Sequence, residues 1–140
     1  MSKKYLIYLV SICFFSLSSY SQDNYDNQIE TSKNVVSGQL EAFKSNDALK
    51  AFSFAAPIIK AKFETPEIFM KMVETAYEPV SNPKNYFFLK SKIFDSGVLH
   101  QVQIISQKNQ SYIATYSLIL SDGNWKISGC TIAPLKKKSI

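Results

Sequence analysis

The chain holds one histidine, His100, and two cysteines, Cys13 and Cys130, so few of its groups can move a proton or attack an electrophile near neutral pH. His100 shares one side of an alternating apolar run with Val98 and Val102, and two readings compete for it. In one it projects into an apolar pocket, pairs with a tyrosine such as Tyr116 and carries protons. In the other it is a packed, hydrogen-bonded core residue, which is favoured because a base needs an orienting partner. Cys130 follows Gly129, where a backbone or ligand can approach closely. With no adjacent lysine and no evident His–carboxylate pair to activate it, Cys130 reads as a buried apolar thiol. Asp95 and Asp122 fall in turns, and the other carboxylates fall in helices, caps or the lead segment.

The same scarcity bounds cofactors. One histidine and one or two cysteines fall short of a soft-ligand metal site, and no glycine-rich phosphate loop is present, so neither metal nor cofactor is expected. Aromatic and sulfur side chains are plentiful instead. Phe52, Phe54, Phe63, Phe69, Tyr77, Met70 and Met72 are able to fill a core or to line a cavity, with tyrosine hydroxyls orienting a polar ligand group. The candidate ligand-lining set is Phe54, Phe63, Tyr77, His100, Tyr116 and Cys130, and Trp125 is expected to cap the core beside the last turn.

Charge narrows the partners. All 16 basic residues are lysine, against 11 acids. Recognition of nucleic acid leans on the planar, bidentate guanidinium, so a nucleic-acid partner is not expected. Lys136, Lys137 and Lys138 lie beyond Pro134 and read as a solvated tail over 135–140.

The N-terminus resembles a secretory signal. Lys3 and Lys4 precede an apolar stretch from Tyr5 to Phe15, and Ser19 and Ser21 stand three and one residues before Gln22. Cleavage is expected after residue 21, leaving a periplasmic or secreted chain without a stable membrane anchor. The net charge then falls from +5 to +3, 14 lysines against 11 acids. Lipidation at Cys13 is disfavoured, because Ile12 occupies the position where a small residue is required. Cys130 is then the sole cysteine, so no internal disulfide forms and packing must supply the stability.

Residues 22–28 make a polar lead, and 29–134 are about right for one domain. Ile29, Val36, Leu40 and Phe43 recur at helical spacing; Asn46 suits a stop and Asp47 the next N-cap. Leu49 to Ala56 continue helically to Pro57, and Ile58 to Phe63 make a further short turn. Thr65 and Pro66 open a helix bearing Phe69, Val73, Ala76 and Tyr77. From Asn85 the period changes to two, giving strands near 86–94, 98–107, 111–120 and 124–132, joined by short links rich in Gly, Asn and Asp. The expected fold class is α+β: N-terminal helices packed on a curved four-stranded antiparallel meander. Ile105, Ile113 and Ile119 make the reverse sheet face partly apolar, which allows a homodimer through the sheet.

Several runs carry a family likeness. Gln39-Leu40-Glu41-Ala42-Phe43, Ala51 to Pro57, Thr65-Pro66-Glu67, Phe69-Met70 and Tyr77-Glu78-Pro79-Val80 resemble the bacterial family known as domain of unknown function 4864. Tyr116-Ser117-Leu118, Asp122 through Cys130 and Ala133-Pro134 resemble its closing motif, so the likeness covers about Val35 to Pro134. The helices-then-meander order and the Asp-Gly-Asn-Trp-Lys-Ile ending are similar, more weakly, to the nuclear transport factor two-like (SnoaL-like) superfamily. That second resemblance implies a cone-like fold with an apolar pocket but fixes no activity, since enzymes and non-enzymes share such folds. The expected function is an exported, non-enzymatic domain that binds a small apolar ligand or a protein. The alternative is a small lyase, isomerase or hydrolase acting through His100.

Overall fold

The computed structural model describes residues 4–136, with side chains described from residue 21 onward. The side chains of the expected signal segment, Cys13 among them, and Lys137 and Lys138 of the basic tail lie outside the described residues. Helix α1 spans Lys4–Lys44 and runs unbroken through the polar stretch 22–28. Its domain-facing stripe is Ser32, Val36, Gln39, Leu40 and Phe43, all at most 4% exposed. Steps of three and four residues keep these side chains on one face. Asn46 adopts a left-handed φ of 55° after the helix, a conformation asparagine tolerates better than most residues.

Four short helices follow, each opened by a side-chain cap, an early proline or both. Asp47 accepts a hydrogen bond from Lys50 N at 3.0 Å and opens α2, Ala48–Ser53. Pro57 begins α3, Pro57–Phe63, and Thr65 accepts from Ile68 N at 3.2 Å to open α4, Pro66–Ala76. Helix α5, Glu78–Ser81, carries Pro79 in its first turn and buries Val80.

Strands β1 (Asn85–Phe94), β2 (Gly97–Ile105), β3 (Ser111–Ser121) and β4 (Asn124–Pro134) form one antiparallel sheet in sequential order. In the β3–β4 hairpin Asp122 and Gly123 take φ of 51° and 77°, the doubly left-handed pair that a two-residue turn between twisted strands requires. Register shifts between Phe88 and Lys90 and beside Ser117–Leu118 bend the outer strands, as bulges do. Val98, His100, Val102 and Ile104 of β2, and Ala114, Tyr116 and Leu118 of β3, are at most 1% exposed and turn toward the helices. On the reverse face Leu99, Ile105, Ile113 and Ile119 are only partly buried.

Helices and sheet are joined by backbone as well as by packing. Ala56 N donates to Ile127 O at 2.8 Å and Ile127 N donates to Phe54 O at 2.9 Å, so the α2–α3 junction closes the edge of β4. Lys126 Nζ also donates to Ser53 O at 2.8 Å. At the other end of the sheet Tyr86 Oη donates to Glu41 Oε1 at 3.1 Å, linking β1 to α1.

Candidate functional site

A wall of phenyl rings stands on the helical side of the sheet. Phe69 stands at its centre, with Phe43, Phe52 and Phe63 at ring-centroid separations of 6.1, 5.4 and 6.0 Å. Behind this wall lies a cavity of about 180 Å³. Its helical side is Gln39, Phe43, Ile59, Phe63, Met72 and Val73, and its sheet side is Tyr116, Ile127, Gly129 and Cys130. Lys62, exposed on α3, stands at its mouth beside Phe63, with Nζ 5.4 Å from that ring's centroid. Ala55, Phe69, Tyr77 and Val80 complete the lining.

The floor of this cavity carries a buried hydroxyl. Tyr116 is 1% exposed, and its Oη has no hydrogen-bond partner among the described residues. A buried hydroxyl in this state forfeits its hydration without recovering a bond, a loss of about 1–3 kcal/mol. Its polar neighbour is the Cys130 thiol, directly opposite across the β3–β4 pair, a weak sulfur partner that interacts with the hydroxyl but falls short of hydrogen-bond geometry. Burial, and then Cys130, raises the phenol well above its ordinary pKa of 10.0, and burial pushes the thiol up to about 12 against the opposing effect of Tyr116. Both groups are therefore neutral at physiological pH. Gln39 Nε2 donates to Ala51 O at 3.1 Å, tying α1 to α2 beneath the cavity.

His100 stands elsewhere. It is fully buried, with Nε2 2.8 Å from Ser32 Oγ on α1 and Nδ1 2.7 Å from Ser91 Oγ on β1. Ser32 Oγ also lies 2.7 Å from Gln28 O, its natural acceptor one helical turn back. The Nε2–H tautomer satisfies the whole set: Ser32 donates to Gln28 O and accepts from Nε2–H, while Ser91 donates to Nδ1. Phe88 packs edge-on against the imidazole at 5.6 Å between centroids. Burial, and secondarily the charge of Lys33, lowers the His100 pKa from 6.5 to about 4, so the ring is neutral.

Of the six residues expected to line a ligand site, Phe63, Tyr77, Tyr116 and Cys130 meet on the one cavity. Phe54 and His100 are not part of its lining. Phe54 lies against α1, where a Cβ on Gly38 would come within 2.6 Å of its ring. The pairing of His100 with Tyr116 expected from strand alternation is not made, because the two serines engage both ring nitrogens. Sequence reasoning passed over Lys62, Gln39, Ser32 and Ser91. Ser32 and Gln39 carried a usable signal, since each is a polar residue set into the apolar stripe of α1. Lys62 carried none, being one lysine among many. Among the described residues no group of three His, Cys, Asp or Glu side chains is placed to hold a metal ion, and no helix is long and apolar enough to cross a membrane.

A family model described as a domain of unknown function (DUF4864) matches residues 25–140. No curated protein matches the sequence. Among solved structures, an NTF2-like protein of unknown function from Silicibacter pomeroyi superimposes with a TM-score of 0.57 at 11% identity, covering 79% of this chain and 98% of its own. Another NTF2-like protein of unknown function, from Shewanella baltica, gives a TM-score of 0.56 at 9% identity, covering 81% and 98%. At such identities the likeness establishes the fold alone.

Proposed function

This chain belongs to the DUF4864 family and carries an NTF2-like fold, and from that premise we propose that it is an exported, non-enzymatic domain that holds a small, largely apolar molecule in the cavity between α3, α4 and the sheet. The observation that carries the reading is the unpartnered Tyr116 hydroxyl on the cavity floor. A fold that needed only to pack would gain by placing phenylalanine there, whereas a hydroxyl waiting for a ligand oxygen gains when the ligand arrives. The apolar walls supply the driving force, roughly 25 cal/mol per Å² of ligand surface removed from water.

Binding rather than catalysis is favoured by the lining itself. Its titratable side chains are Lys62, Tyr77, Tyr116 and Cys130, with no carboxylate or imidazole to act as a base. Export is favoured by the charged start, the apolar run from Tyr5 to Phe15 and the Ser19–Ser21 spacing. The family match, starting at residue 25, begins just past the expected cleavage point.

Methyl-resolved NMR of the folded chain during a fragment screen tests the binding reading. Ligands of the proposed kind are expected to move the Met72, Val73 and Ile127 methyl signals together. A screen in which no apolar fragment moves these three would overturn it.

A further inference from the structure

Taking the binding reading as its base, the geometry points to the chemical class of the occupant: we infer that the cavity accepts a compact apolar acid, with its body against the phenyl wall, a carboxylate at Lys62 and a hydrogen-bonding oxygen at Tyr116. Three observations meet here. The space of about 180 Å³ sets the size. An engineered apolar cavity of about 150 Å³ holds benzene, so a body of roughly six to ten non-hydrogen atoms fits.

The second observation is the sign of the mouth. Lys62 is the sole charged residue of the lining, and it makes no ion pair among the described residues. Its ammonium is held near the opening by the face of Phe63, 5.4 Å away. With no carboxylate in the lining to receive a cationic ligand, an amine would meet like charge at the entrance and an acid would meet its complement. After removal of the expected signal the net charge of +3, 14 lysines against 11 acids, adds a weak field of the same preference. The third observation is the far end, where Tyr116 Oη lies buried without a partner and can donate to, or accept from, an oxygen on the ligand body.

A matched set of probes separates these contributions: 4-hydroxybenzoate, its uncharged counterpart 4-hydroxybenzyl alcohol, and the cationic 4-hydroxybenzylamine, each titrated into the folded chain by NMR. The acid is expected to bind about fivefold more tightly than the alcohol, the scale of a solvent-facing ion pair, and the amine most weakly. Lys62→Met is expected to bring the acid down to the affinity of the alcohol, and 1 M salt to do the same in the unmodified chain. Y116F is expected to weaken acid and alcohol by the same factor. If all three probes shift the cavity methyls but acid and alcohol bind equally, or the amine binds best, the ligand class is overturned while the binding site stands. If none of the three binds, the binding reading falls with it.

Discussion

His100 and Tyr116 stand directly opposite each other on β2 and β3, both buried and both turned toward the helices, yet no hydrogen bond joins them. The imidazole is engaged by Ser32 on one side and Ser91 on the other, while the phenol reaches past it into the cavity. The two polar groups of the inner sheet face thus divide the work. His100 fastens α1 and β1 to the sheet, and Tyr116 supplies the one buried side-chain oxygen or nitrogen without a hydrogen bond among the described residues.

That division gives stability a defined pH dependence. His100 has a folded pKa of about 4, below its ordinary 6.5. The unfolded chain therefore takes up a proton as pH falls through 6.5 and the folded chain does not follow until about 4. His100 is expected to withdraw about 3 kcal/mol of stability between pH 7 and pH 4, with most of the loss below pH 6 and little further change beneath pH 4. Urea unfolding at a series of pH values measures it. A flat profile in His100→Gln beside a falling one in the parent chain is the expected result, and a falling profile of equal size in both would refute the assignment.

The Cys130 thiol, with its pKa pushed up to about 12, is expected to be inert. At pH 8 only about one molecule in ten thousand carries the thiolate, against about one in ten for an exposed cysteine of pKa 9.0, so modification is slower by about a thousandfold. Reaction with an aromatic disulfide reagent, followed at pH 8 in buffer and again in urea, should show this gap. A ligand in the cavity should slow the folded chain further, because Cys130 is part of its lining.

Two glycines in the hairpins are expected to differ sharply in tolerance. A Cβ on Gly97 would lie 2.0 Å from the Leu118 carbonyl oxygen, so Gly97→Ala forces β2 away from β3 and is expected to cost about 3 kcal/mol or more. Gly123 has open space around it and only its left-handed φ of 77° to defend, so Gly123→Ala is expected to cost about 1 kcal/mol. Parallel thermal melts of the two variants decide this, and equal losses would contradict it.

The element order, the caps at Asp47 and Thr65, and the four-strand meander were legible in the sequence because each is a local signal. Period, capping chemistry and turn residues act over a few positions. The inner face of β2 and β3 was legible for the same reason, through alternation. What stayed hidden was non-local. Alternation places His100 and Tyr116 side by side, but the partners of His100 arrive from α1, 68 residues earlier, and from β1. The same limit separated Phe54 from the cavity, since its ring is taken up by the space that Gly38 leaves on α1. Helix α1 also continues through 22–28, where the polar composition suggested only a lead. Gln22 Nε2 donates to Asp26 Oδ1 at 3.1 Å, a one-turn side-chain pair of the kind that supports a polar helix.

The cavity with its unsatisfied hydroxyl is tested most directly by native mass spectrometry of the folded chain and of Tyr116→Phe, both purified from the producing cell without denaturation. The expected result is a non-covalent adduct of small mass on the parent chain that is reduced or lost in Y116F, while the variant is as stable as the parent or more so by about 1 kcal/mol. A bare chain in both preparations, with Y116F less stable than the parent, would contradict it, because the hydroxyl would then serve the fold and not a visiting molecule.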